Sequence, residues 1–119
     1  MKMKLVSIDF DGTIVHHRFP DIGEPMDRAF EVMKKLQDAG FGLILNTCRE
    51  DEKKRAYLTE AVEFCEENGV VFRSVNENHQ DDDFRDGGGR KVYANYYIDD
   101  RNLGGFPGWS WVEKLLLGE

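Results

Sequence analysis

The chain has 119 residues, two cysteines and a formal net charge of −7. That length suits one domain with a single core, residues 1–119, and is too short for two. An acidic balance argues against broad binding along a nucleic-acid backbone, which needs clustered Lys and Arg; it leaves open a nucleic-acid end gripped locally through a metal. No apolar run is long enough for a signal peptide or a membrane span, so Cys48 and Cys65 are expected as reduced thiols in a cytoplasmic protein.

In chain order, residues 4–9 form a short apolar run with branched side chains, which predicts a buried strand. It ends in Asp9-Phe10-Asp11-Gly12-Thr13, two carboxylates spaced i, i+2 and therefore able to share a strand face. Residues 14–19 read as a loop or small hairpin over the end of that strand. Gly23-Glu24-Pro25 looks like a helix start, with Met26, Ala29, Phe30, Met33, Leu36 and Ala39 at helical spacing and Gly40 as the stop. A second strand is predicted over 41–47, ending at Asn46-Thr47-Cys48-Arg49. An amphipathic helix follows over 51–68, stopped by Gly69, and a third strand over 70–75. Residues 76–91 read as a polar, Gly-rich loop containing Asp81-Asp82-Asp83. Tyr96-Tyr97-Ile98-Asp99-Asp100 is a fourth strand ending in two more carboxylates, and a helix over 111–117 closes the chain.

Apolar strands alternating with amphipathic helices predict an α/β fold with a mainly parallel sheet, covered on both faces in a three-layer α/β/α arrangement. Right-handed crossovers gather the strands' C-terminal ends at one edge, where ligands bind in such sheets. Asp9, Asp11, Thr47, Asp99 and Asp100 all fall there. Carboxylates collected in this way call for a hard divalent cation, and oxygen ligands with room for water suit Mg²⁺ better than Zn²⁺. A metal with free positions beside a further carboxylate, a Thr and a Lys suits phosphoryl transfer, with a carboxylate as nucleophile and a second carboxyl as acid and base.

These motifs carry a resemblance. Asp9-Phe10-Asp11-Gly12-Thr13 resembles the first motif of the haloacid dehalogenase (HAD) superfamily in its phosphatase branch. Asn46-Thr47 is similar to the second motif, Lys91 to the third and Ile98-Asp99-Asp100 to the fourth, in the superfamily's order and over nearly the whole chain. The resemblance implies a Rossmann-like HAD core and an Mg²⁺-dependent phosphomonoester hydrolase. Asp9 would be nucleophile and metal ligand. Asp11 would be the general acid/base, with its backbone carbonyl on the metal. Thr47 would bind the phosphoryl group and Lys91 would neutralise it, with Arg90 as the adjacent alternative. Asp99 and Asp100 would complete the metal contacts, one of them through water. Gly12, Thr13, His16, His17, Cys48 and Arg49 are the expected substrate contacts around these motifs.

The gaps between motifs are too short for a folded cap domain. The resemblance therefore implies a capless member with an open site, acting on a phosphorylated macromolecule or a small phosphometabolite, or borrowing a lid from a second subunit. The Ile-Asp-Asp-Arg run at 98–101 is also similar to that of polynucleotide 3′-phosphatases. The alternative is a metal- or phosphate-binding module, idle or receiver-like. A receiver's phosphoacceptor Asp would end the third strand, whereas Ser74-Val75-Asn76 stands there. Cys65 and the methionines at helical spacing read as core, and Trp109 and Trp111 read as packing of the last helix or as a partner surface.

Overall fold

A computed structural model describes residues 3–77 and 91–119. Strand β1, Leu5–Ile8, is buried at every position. It lies inside a four-stranded parallel sheet of order β3-β2-β1-β4, where β2 is Gly42–Leu45, β3 is Ser74–Val75 and β4 is Tyr96–Ile98. The register pairs Val6 with Leu43 and Tyr96, and Ile8 with Leu45 and Ile98. Helices α1 (Ala29–Asp38), α2 (Tyr57–Glu67) and α3 (Trp109–Leu117) flank the sheet. The chain is thus a single Rossmann-like α/β unit, and no described helix is long and apolar enough to cross a membrane.

Strand alternation divides the core in two. Val6, Ile8, Leu43, Leu45 and Ile98 meet Ala29, Met33 and Leu36 of α1, Ala61 and Cys65 of α2, and Trp109 and Val112 of α3. Leu5 and Ile44, of opposite parity, meet Val92 and Ala94. Among the described residues, all three helices contribute to the first cluster; the second face is packed by the segment leading into β4.

Several boundaries differ from the sequence pattern, each for a visible reason. Pro25 does not open α1. It bridges back to Val15, which also pairs with Asp11, so residues 11–25 fold as a compact loop over the end of β1. Arg28, with φ 63°, then breaks the chain direction before α1 begins. Helix α2 starts at Tyr57 rather than at 51, because Asp51 turns back to bridge Ala56 and its carboxylate accepts hydrogen bonds from the Thr59 amide and hydroxyl. The third strand shrinks to Ser74–Val75, since the Val70 amide still donates to Cys65 at the end of α2. Helix α3 begins at Trp109, two residues earlier than expected. The two tryptophans part company: Trp109 is buried in the core and Trp111 is half exposed. The Asp81-Asp82-Asp83 run and Arg90 lie outside the described residues.

Candidate active site

The sheet's C-terminal edge is tied together by main-chain hydrogen bonds. The Asp9 amide donates to Ile98 O at 3.0 Å, and the Asn46 amide donates to Ile8 O at 2.9 Å. Three neighbouring strand ends therefore present Asn46-Thr47, Asp9 and Asp99-Asp100 side by side. Oxygens of Asp9, Asp99 and Asp100 lie within 4.8 Å of one another.

Three carboxylates that close repel. Burial, the Asp99 charge and the neighbouring Asp100 carboxyl push Asp9 up to about 7. Burial also raises Asp100, but the His17 imidazole and the adjoining Asp9 and Asp99 carboxyls outweigh it and hold that carboxyl below its usual range. Asp100 Oδ1 is buried and accepts no hydrogen bond from an amide, hydroxyl or ammonium group among the described residues. Buried acceptors are ordinarily satisfied. An all-oxygen set with an unsatisfied buried oxygen is the donor chemistry of a hard divalent cation.

Strand geometry stops at Ile8, and this separates the two carboxylates of the first motif. The Phe10 carbonyl accepts the amides of Thr13, Ile14 and Val15 at 3.2, 2.9 and 3.2 Å, so the chain turns instead of extending. Asp9 stays with Asp99 and Asp100, while the Asp11 carboxylate is carried to Arg49, whose Nε and Nη2 donate to its two oxygens at 2.8 and 2.9 Å. Both Asp11 carboxylate oxygens are thus held by the guanidinium; the metal contact expected of this residue is through its backbone carbonyl.

Arg49, expected as a substrate contact, lies on the wall of a pocket at this edge but is almost wholly enclosed. It is 2 % exposed. Nη2 also donates to Asp21 O at 2.9 Å, with longer contacts from Nη1 to Pro20 O and Tyr57 O, and the guanidinium lies 5.0 and 5.1 Å from the rings of Phe10 and Phe19. It staples the loop over β1 to the segment ahead of α2.

Gly12 and Thr13, expected from sequence as substrate contacts, are buried against the acidic cluster and line neither pocket. Gly12 is buried with φ 88°, and a Cβ there would collide with the Asp100 carboxylate and the His17 imidazole. Thr13 is fully buried. Its hydroxyl donates to Asp9 Oδ2 at 3.5 Å and accepts the Asp100 amide at 3.1 Å. The Thr13 carbonyl accepts Trp109 Nε1 at 2.8 Å, anchoring α3 under the site. The two histidines also separate. His17 Nε2 lies 3.0 Å from Asp100 Oδ2, whereas exposed His16 turns its amide to Glu24 O and is not among the residues lining the pocket.

Thr47 is half-buried; its amide donates to Asn76 Oδ1 at 2.7 Å and its hydroxyl oxygen accepts the Arg49 amide at 3.2 Å. Thr47, exposed Cys48, Asp9, Asp11, His17 and Asp99 line one pocket of about 510 Å³. Lys91 lines a second, of about 270 Å³, with Ser7, Asp9, Asn46 and Asp99. Its Nζ sits 4.7 Å from the Tyr97 ring centroid, and that ring is fixed by the Tyr97 hydroxyl donating to Val92 O at 2.7 Å. The two pockets meet at Asp9.

Sequence reasoning missed Asn76, which orients Thr47 from a left-handed backbone (φ 56°) at the end of β3; an Asn just past a strand was the available signal. It also missed Phe19 and Arg101 on the larger pocket's wall.

The fold and site define a Rossmann-like α/β domain with an acidic, two-pocket site at its strand ends. No family model and no curated protein matches the chain. A solved structure, that of a conserved protein from Bacteroides thetaiotaomicron, is 39 % identical, covers 99 % of this chain and 93 % of its own, and superposes with a TM-score of 0.84. The chain belongs to the family of that conserved protein.

Proposed function

We propose that the chain is an Mg²⁺-dependent phosphomonoester hydrolase of the HAD type, working through an aspartyl-phosphate on Asp9. The observation that carries this reading is the cluster of Asp9, Asp99 and Asp100 at the strand ends, in which Asp9 and Asp99 line both pockets and Asp100 supplies the unsatisfied buried oxygen behind them. Those three carboxylates would hold Mg²⁺, which when bound offsets the charge of the phosphoryl oxygens. A carboxylate oxygen of Asp9 attacks phosphorus as the bond to the leaving oxygen breaks. Asp11 delivers a proton to that oxygen, then takes one from the water that attacks the aspartyl-phosphate and releases phosphate. For this, one Asp11 oxygen must give up its guanidinium partner. Thr47 and Lys91 flank Asp9 from the two pockets, where a hydroxyl and an ammonium can bind phosphoryl oxygens.

That same clamp favours one second reading. If Arg49 never releases Asp11, the aspartyl-phosphate forms and persists, and the chain is a phosphoacceptor module. Assay with an aryl phosphate and Mg²⁺ separates the two. The hydrolase turns over and Asp9→Asn abolishes turnover; the module takes a stable label from a small phosphodonor without turnover. Turnover that survives Asp9→Asn would sink both.

A further inference from the structure

The larger pocket has one aromatic wall. Phe19 is 55 % exposed, and the rest of the described lining is polar or charged apart from Cys48. A single exposed ring is ordinary on a protein surface, but this one is held. Its centroid is 5.1 Å from the Arg49 guanidinium carbon and 5.3 Å from the Tyr57 ring, tilted 45° to it. Arg49 in turn is buried and bonded to the carbonyls of Pro20 and Asp21, the residues that follow Phe19. The ring is therefore positioned before any ligand arrives, so binding against it costs little conformational entropy.

Its location matters as much as its rigidity. Asp11 and Phe19 both rest on the same guanidinium, the carboxylate at 2.8 and 2.9 Å and the ring at 5.1 Å. A leaving oxygen protonated by Asp11 would emerge into the pocket that Phe19 also lines, and its volume of about 510 Å³ accommodates a ring together with a phosphoryl group. We propose that Phe19 sets the specificity of this site and that its substrate is a phosphomonoester whose leaving group carries an aromatic ring close to the ester oxygen. The proposal rests on the phosphatase reading above and adds the chemistry of the group released.

Benzyl phosphate and cyclohexylmethyl phosphate test it, with Mg²⁺ and the full chain. Both release a primary alcohol of similar bulk and differ in aromaticity. Wild type should favour the benzyl ester by about three- to tenfold in kcat/KM, mainly through KM, the size of a ring-on-ring preference. Phe19→Leu should bring the preference close to one, and Phe19→Trp should restore it. If Phe19→Leu does not fold, as judged by circular dichroism, the wild-type preference and Phe19→Trp decide. Equal turnover of both esters by wild type, or a preference that persists in Phe19→Leu, would overturn the ring platform and leave the phosphatase reading standing. Turnover of neither ester while an aryl phosphate is hydrolysed would overturn the ring platform alone; hydrolysis of none of the three would remove the phosphatase reading, and this one with it.

Discussion

Removing the Arg49 guanidinium while keeping its stem, as in Arg49→Met, tests the device that splits the first motif. The side chains of Arg49 and Asp11 are 1 % and 15 % exposed, so their ion pair is largely shielded from water. Breaking one side of a buried pair costs about 3–5 kcal/mol, mostly because the other charge is left without a partner. Here the Asp21 carbonyl also loses a donor. At an m-value of about 2 kcal/mol per molar urea, typical for small domains, the unfolding midpoint should fall by about 1.5–2.5 M. Asp11→Asn alone leaves the guanidinium facing a neutral amide and should also destabilise. The double variant should be more stable than the sum of the single losses implies, with a coupling of about 1.5–3 kcal/mol. Arg49→Lys should recover only part of the loss, because an ammonium cannot bridge both oxygens. Urea titrations of the four proteins measure the cycle. A coupling below about 0.5 kcal/mol, the range of an exposed pair, would refute the clamp.

Three more outcomes follow from the geometry. Gly12→Ala should destabilise by about 1–3 kcal/mol, from its backbone conformation and the collision with Asp100, and should weaken Mg²⁺ binding measured by calorimetry. Glu113, bonded to Arg28 and Lys35, is held down to about 2 from an ordinary 4.5, so its stabilisation is present above that ordinary value and lost as pH falls toward 2; the stability gap between wild type and Glu113→Gln should narrow on acidification. Asp9 is raised to about 7 from 3.8, so in chelator-treated protein its contribution is fully present below 3.8 and lost as pH rises through 7. Thermal melts should then show wild type losing more stability than Asp9→Asn between mildly acidic and mildly alkaline buffer.

Much of the architecture was legible because it depends on pattern. Buried strands such as Leu5–Ile8 and Gly42–Leu45 are apolar at both parities or nearly so, and α1 repeats its apolar residues at helical spacing. The convergence of Asp9, Thr47, Asp99 and Asp100 followed from strand ends alone. What pattern could not convey was tertiary pairing in the loops. Pro25 looks like a first-turn proline until Val15 is seen to need a partner. Asp9 and Asp11 look like equivalent carboxylates until the turn at Phe10 sends them to different neighbours. Arg49 beside an exposed Cys48 looks solvent-facing; only the fold reveals a backbone carbonyl, a carboxylate and two rings waiting for its guanidinium. Thr13 has a hydroxyl suited to substrate, yet it is spent bridging Asp9 to the Asp100 amide.

The central claim is that Asp9 accepts a phosphoryl group, and trapping tests it most directly. Protein turning over an aryl phosphate with Mg²⁺ is quenched with borohydride, which reduces an aspartyl-phosphate to homoserine, and the reduced residue is located by peptide mapping. The account predicts homoserine at position 9, dependent on Mg²⁺ and on substrate. Sustained turnover with position 9 unmodified and the reduced residue elsewhere, or nowhere, would contradict it.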